Sequence, residues 1–191
     1  MVTQKIKRMS LKNELYVMRN EQYLEGLISL IEHINSISPT EELSMVEIGA
    51  YAGESTTLFA KHFKHVTTID PFINDYDPND ITCQHMDLEL VYECFKENIK
   101  PFENITHIRD TSDDGIFHLL KNVDFVYIDG LHTYEQVKKD IQNYKPFIKE
   151  NGFIGGHDYH QVWQGVVNAI NEKLGSPDMT FSDTSWIKQL K

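Results

Sequence analysis

From Ser44 onward the chain predicts an α/β protein: a doubly wound sheet, mostly parallel, with helices on both faces and an antiparallel hairpin at its C-terminal end. Three observations predict it. Apolar stretches near residues 45 to 49, 66 to 70, 105 to 109, 124 to 129 and 152 to 156 alternate with helical patterns, which is how βαβ units build a parallel sheet. The first stretch runs straight into Gly49 and Gly53 and then a helix start, where Ser55 and Thr56 offer capping hydroxyls. The last segment, Met179 to Phe181 and Ser185 to Leu190, reads as two short strands around a polar turn. Right-handed crossovers gather every loop after a strand at one carboxyl edge, so a Rossmann-like sheet of this kind carries its site there.

Ahead of the sheet, Leu24, Leu27, Ile28, Ile31 and Ile34 fall at helical spacing and predict an amphipathic helix over Glu21 to Ile37. The chain divides into an N-terminal helical segment, residues 1–42, and one globular domain, residues 43–191. Packing on the sheet is the first expected role of that helix; a roof or lid over a substrate pocket, with Tyr16 and Tyr23 as pocket residues, is the second. Further on, Asp75, Asp77 and Asn79 alternate as in a calcium loop, but Asp80 takes the glycine position and Met86 the place of the bidentate glutamate. The stretch Asn74 to Asp80 therefore reads as a mobile, solvated loop flanking the cofactor and able to act as a lid.

Composition removes several classes of function. With 191 residues and 40% hydrophobic content, a single core suffices. A formal charge of -11 opposes a phosphate backbone, and the 18 Lys and Arg form no dense run, so nucleic acid is not an expected partner. The same acidity accords with a cationic cofactor or a metal ion. Cys83 and Cys94 make neither a disulfide framework nor a zinc clip. No apolar run has the length of a leader or a membrane span, which leads us to expect a soluble cytoplasmic protein without membrane attachment.

The cofactor is read from the glycine turn. A dinucleotide fingerprint, G-x-G-x-x-G, would put glycine where Tyr51 stands. A bulky residue there disfavours a diphosphate and leaves room for a nucleoside without phosphates. About 20 residues later, an acidic residue ending the second strand should hold ribose hydroxyls; Asp70 occupies that place.

Three motifs in order, Glu47 to Gly53, Phe125 to Tyr134 and Asn151 to Tyr159, resemble those of class I S-adenosylmethionine-dependent methyltransferases. The likeness runs from Leu43 to Lys191 and is strongest to a branch of small O-methyltransferases related to macrolide-sugar O-methyltransferases and cephalosporin-pathway proteins. It makes residues 43–191 a methyltransferase domain whose sheet closes with the terminal hairpin. It implies S-adenosylmethionine held by Glu47, Gly49, Ala50, Tyr51, Gly53 and Ser55, with Asp70 on the ribose. Asp110, Thr111 and Ser112 would lie at the adenine, and Ser112 also reads as a helix N-cap.

Methyl transfer from a sulfonium to a hydroxyl is an in-line displacement, and a free alcohol needs either a base or a divalent cation to become nucleophilic. The resemblance places a general base at His132, whose imidazole titrates near neutrality, and gives Asp129 both a catalytic and a cofactor-binding part. Asp129, His157 and Asp158, at the ends of adjacent strands, would ligate Mg2+ or another divalent cation; His157 departs from the acidic or amide residue more usual in the relatives. The expected activity is O-methylation of a small hydroxylated acceptor, a sugar or secondary metabolite, with metal assistance. Competing readings are a metal-dependent hydroxylase-like enzyme on the same three ligands, a non-catalytic cofactor-binding module, and a nicotinamide oxidoreductase, against which Tyr51 and the terminal hairpin count. Apolar residues on the N-terminal helix leave a homodimer open.

Overall fold

The computed structural model describes residues 18, 21–77, 85–119 and 122–191, the side chains of residues 21–23 excepted. Its strands are β1 (Ser44–Ile48), β2 (His65–Ile69), β3 (Ile105–Ile108), β4 (Val123–Ile128), β5 (Ile148–Gly156), β6 (Met179–Thr180) and β7 (Trp186–Gln189). The helices are α1 (Glu21–Ile37), α2 (Glu54–His62), α3 (Leu88–Ile99), α4 (Ser112–Gly115), α5 (Tyr134–Tyr144) and α6 (Gln164–Leu174). They form one sheet in the order β3-β2-β1-β4-β5-β7-β6. The first five strands in that order pair in parallel, and β7 runs antiparallel to both β5 and β6. The expected strands and terminal hairpin are therefore present.

The chain starts in the middle of the sheet, winds outward to β3, then returns to place β4 against β1. That reversal is a topological switch point, where loops leaving neighbouring strands diverge and open a crevice. Register aligns the strand ends. Gly49 donates its N–H to Ile69, Asp129 to Ile48 and His157 to Ile128, at 2.8 to 3.0 Å, so the first residues past β1, β4 and β5 stand level at one edge.

Helices cover both faces. On one, Leu27, Leu30, Ile31 and Ile34 of α1 pack with Phe59 of α2 over Met45, Phe125, Phe153 and Ile187; each such buried side chain contributes about 2 kcal/mol. On the other, α5 and α6 supply Val137, Ile141, Val166 and Ile170 against Val46, Val126 and Ile154. α3 closes a third cluster with Ala50, Ala52 and Phe72. α1 thus sits on the sheet: its Gly26 backs so closely onto Asp183 that a Cβ would fall 2.4 Å from the carboxylate. Of the N-terminal segment, Met18 lines the cleft and donates its N–H to Glu54 at 2.7 Å. Tyr16, Cys83 and residues 78–80 lie outside the described residues. Among those that are described, no helix is long and apolar enough to cross a membrane.

Candidate active site

The turn after β1 is built by backbone constraint. Gly49 has φ +86, and a Cβ there would lie 1.9 Å from the Asp129 carbonyl oxygen, so only glycine lets the β1 and β4 loops touch. Tyr51, at φ 46, takes the left-handed conformation that the second fingerprint glycine would supply, at a cost of about 1 kcal/mol for a residue with a Cβ. Asp70 braces the turn: its Oδ2 accepts the N–H groups of Ala50 and Tyr51 at 2.8 and 3.0 Å, and its Oδ1 that of Phe72 at 2.9 Å. Loss of water raises the Asp70 pKa, with those three amides pulling the other way.

Glu47 is fully buried beneath this turn and accepts hydroxyl protons from Ser55 and Thr56, each at 2.5 Å. Burial pushes its pKa up to about 7 despite those bonds. Gly49, Ala50, Tyr51, Ser55, Asp70 and Ser112 line the cleft, whereas Glu47 and Gly53 stand behind its wall; Glu47 reaches the cleft through the Ser55 hydroxyl. At the third strand the expected cap shifts by one residue. Thr111, not Ser112, is the N-cap of α4, accepting the Asp114 N–H at 3.3 Å, because Ser112 already has helical backbone and turns its hydroxyl to Gln136 at 3.1 Å. Asp110 folds back onto the Thr111 N–H at 2.9 Å, and neither of these two lies on the cleft wall.

The other end of the cleft is ionic. Asp129, His132, His157 and Asp158 all line it. His132 Nε2 lies 2.8 Å from Asp158 Oδ2, and its Nδ1 donates to Asp77 at 2.9 Å. The ring is stacked on Trp163 with centroids 4.4 Å apart. Burial alone would lower the His132 pKa, but hydrogen bonds to Asp158 and Asp77 and the nearby Asp129 charge push it up to about 10. For Asp158, burial is outweighed by His132 and His157, which hold its carboxyl well below the usual range. Asp158 itself sits at φ 63, a strained backbone that the Gly156-to-Tyr159 turn maintains.

Divalent-cation chemistry fits this end. Asp129, His132 and Asp158 each bring one ligand atom within 4.8 Å of the others, a hard, mixed oxygen and nitrogen set. His157, expected from its strand end, stands beside them, its Nδ1 3.2 Å from Asp158 and 3.8 Å from Asp129, so the structure brings two imidazoles to the same pair of carboxylates. Sequence reasoning passed over His160 and Trp163 and put Tyr76 and Asp77 in a solvated loop, although all four share the wall and Asp77 is buried; the acidic run was visible, but its inward turn was not. The whole cleft measures about 640 Å³ and is lined by Glu54, Asp70, Asp77, Asp129 and Asp158, with neither Lys nor Arg among its described lining residues.

A family model described as a methyltransferase domain matches residues 46–159, from the strand beneath the glycine turn to the residue after Asp158. This chain belongs to that family. Its fold is that of the class I S-adenosylmethionine-dependent methyltransferases. A relative, an uncharacterised protein of Acanthamoeba polyphaga mimivirus, is 30% identical over 152 residues, which is 75% of this chain. The chain spans 64% of that relative's length. Among solved structures, the O-methyltransferase NovP superposes with a TM-score of 0.70 at 16% identity, covering 92% of this chain and 82% of its own. The calicheamicin methyltransferase CalS11 gives 0.62 at 13%, covering 89% and 80%. The N-methyltransferase NodS of Bradyrhizobium japonicum, in complex with S-adenosyl-L-homocysteine, gives 0.60 at 16%, covering 91% and 89%. Identities this low speak for the methyltransferase fold alone, and N- and O-acceptors both occur on it.

Proposed function

We propose that this protein transfers the methyl group of S-adenosylmethionine to a hydroxyl oxygen of a small acceptor, a sugar or secondary metabolite, with help from a divalent cation. The observation that carries this reading is the convergence, in one cleft, of the Gly49-to-Tyr51 turn braced by Asp70 with the Asp129, His132 and Asp158 group. The acceptor oxygen attacks the methyl carbon, the carbon–sulfur bond breaks, S-adenosylhomocysteine leaves, and the hydroxyl proton goes to a base. His132 accepts that proton only after its Nε2–H, now directed at Asp158, has left. A divalent cation bound at Asp129 and Asp158 would supply charge that lowers the hydroxyl pKa and makes that loss favourable.

Five acidic residues against one strongly basic imidazole, His132, and neither Lys nor Arg among the described lining residues, favour the cationic sulfonium and argue for an acceptor without phosphate or carboxylate groups. NovP, an O-methyltransferase by its description, supports oxygen as the acceptor atom by likeness of fold. The test is calorimetric titration with S-adenosylmethionine, S-adenosylhomocysteine and NAD, each with and without Mg2+. Binding of the two sulfur nucleosides alone is expected, followed by methylation of neutral hydroxylated acceptors in a screen. Binding of NAD, or of none of the three, would sink the proposal.

A further inference from the structure

The segment after β2 is pinned before it reaches the acceptor end. Phe72 donates its N–H to Asp70 and packs its ring on Tyr92, Phe95 and His107 with centroids 4.9 to 5.7 Å apart. Asn74 accepts the Leu88 N–H at the start of α3, at 2.8 Å. Three residues on, Asp77 is 2% exposed, and one oxygen of its carboxylate accepts both the backbone N–H and the Nδ1–H of His132, at 2.8 and 2.9 Å. Two bonds from one oxygen to the main chain and ring of one residue fix that ring's rotation as well as its place. Turning it over would set a carbon against Asp77 and abandon a bond to a buried carboxylate.

We infer that Asp77 is the positioning residue of this site: it holds His132 in the single ring orientation that turns Nε2 toward Asp158 and Asp129. The assignment rests on the methyl-transfer reading for its purpose, though not for its geometry. A carboxylate behind an imidazole that selects which nitrogen faces the reaction centre is a general way of fixing both tautomer and aim. The same segment leaves Asp70, so the brace of the cofactor turn and the clamp on His132 are seven residues apart on one strap of chain.

The experiment is long-range 1H–15N NMR of the histidine side chains in the full chain and in Asp77→Asn and Asp77→Ala, with His132→Gln assigning the signal. The wild type should show a slowly exchanging Nδ1–H on His132. Asp77→Asn, which keeps an acceptor oxygen, should retain it; Asp77→Ala should lose it while S-adenosylhomocysteine binding persists. A folded Asp77→Ala with an unchanged His132 signal would overturn the inference, leaving Asp77 a mere brace for its loop. If the alanine variant does not fold, the wild type still decides: a His132 Nδ1–H exchanging as fast as that of His118, whose side chain is 61% exposed, overturns it too. Failure of the nucleosides to bind the wild type would strike the methyl-transfer reading and leave the His132 result standing.

Discussion

The two ends of the cleft handle buried acid in opposite ways. At the cofactor end, Glu47 and Asp70 are surrounded by hydroxyl and amide donors, and both titrate above an ordinary carboxyl, Glu47 at about 7. At the acceptor end Asp77 and Asp158 share one imidazole; the histidine rises to about 10 while Asp158 falls. Neutral dipoles satisfy lone pairs without answering the charge, whereas a ring that takes up a proton does both. Behind one end of the cavity a buried carboxyl titrates near neutrality, and the other end is a cluster of charged carboxylates and imidazole.

That contrast can be broken in four places. Gly49→Ala should do most damage, since its methyl would fall 1.9 Å from the Asp129 carbonyl and the left-handed backbone would be strained; we expect a loss of about 3 kcal/mol or more in urea unfolding. A variant as stable as the parent would mean the two ends are not locked together. Asp158→Asn should weaken Mn2+ binding about 100-fold, roughly 2.7 kcal/mol, with S-adenosylhomocysteine affinity unchanged; equal losses of both would erase the division between the ends.

Glu47→Gln tests the neutral end by pH. A carboxyl whose folded pKa is raised keeps its proton longer in the folded state, so parent stability should fall as pH rises from 4.5 through about 7. The variant should lack that slope and gain roughly 2 kcal/mol at pH 8; parallel melting-temperature profiles for parent and variant would refute it. Trp163→Leu, which strips the aromatic face from the His132 ring, should cost least, about 1 kcal/mol in thermal unfolding at neutral pH.

Much of this was legible in the sequence because the informative residues follow apolar runs directly. Gly49, Asp129 and His157 are each the first residue past a strand, and parallel register brings them level without further information. What stayed hidden depended on side-chain direction. That His132 joins His157 beside the carboxylates depends on the left-handed turn at Asp158 and on Asp77, which is 55 residues from His132 and is delivered by the packing of Phe72 and Asn74. Its setting in an acidic run pointed to solvent, yet it is buried. The cap at Thr111 rather than Ser112 is a one-residue displacement, within the reach of two adjacent hydroxyls competing for the same role.

The three amide bonds on Asp70 bear on how a ligand is received. A turn already tethered from the neighbouring strand is assembled before any nucleoside arrives, so docking there need freeze little main-chain motion. Affinity at this end should then be governed by fit and by displaced water, and any hydroxyl docking on Asp70 would share an oxygen that the protein is already using to keep itself in shape.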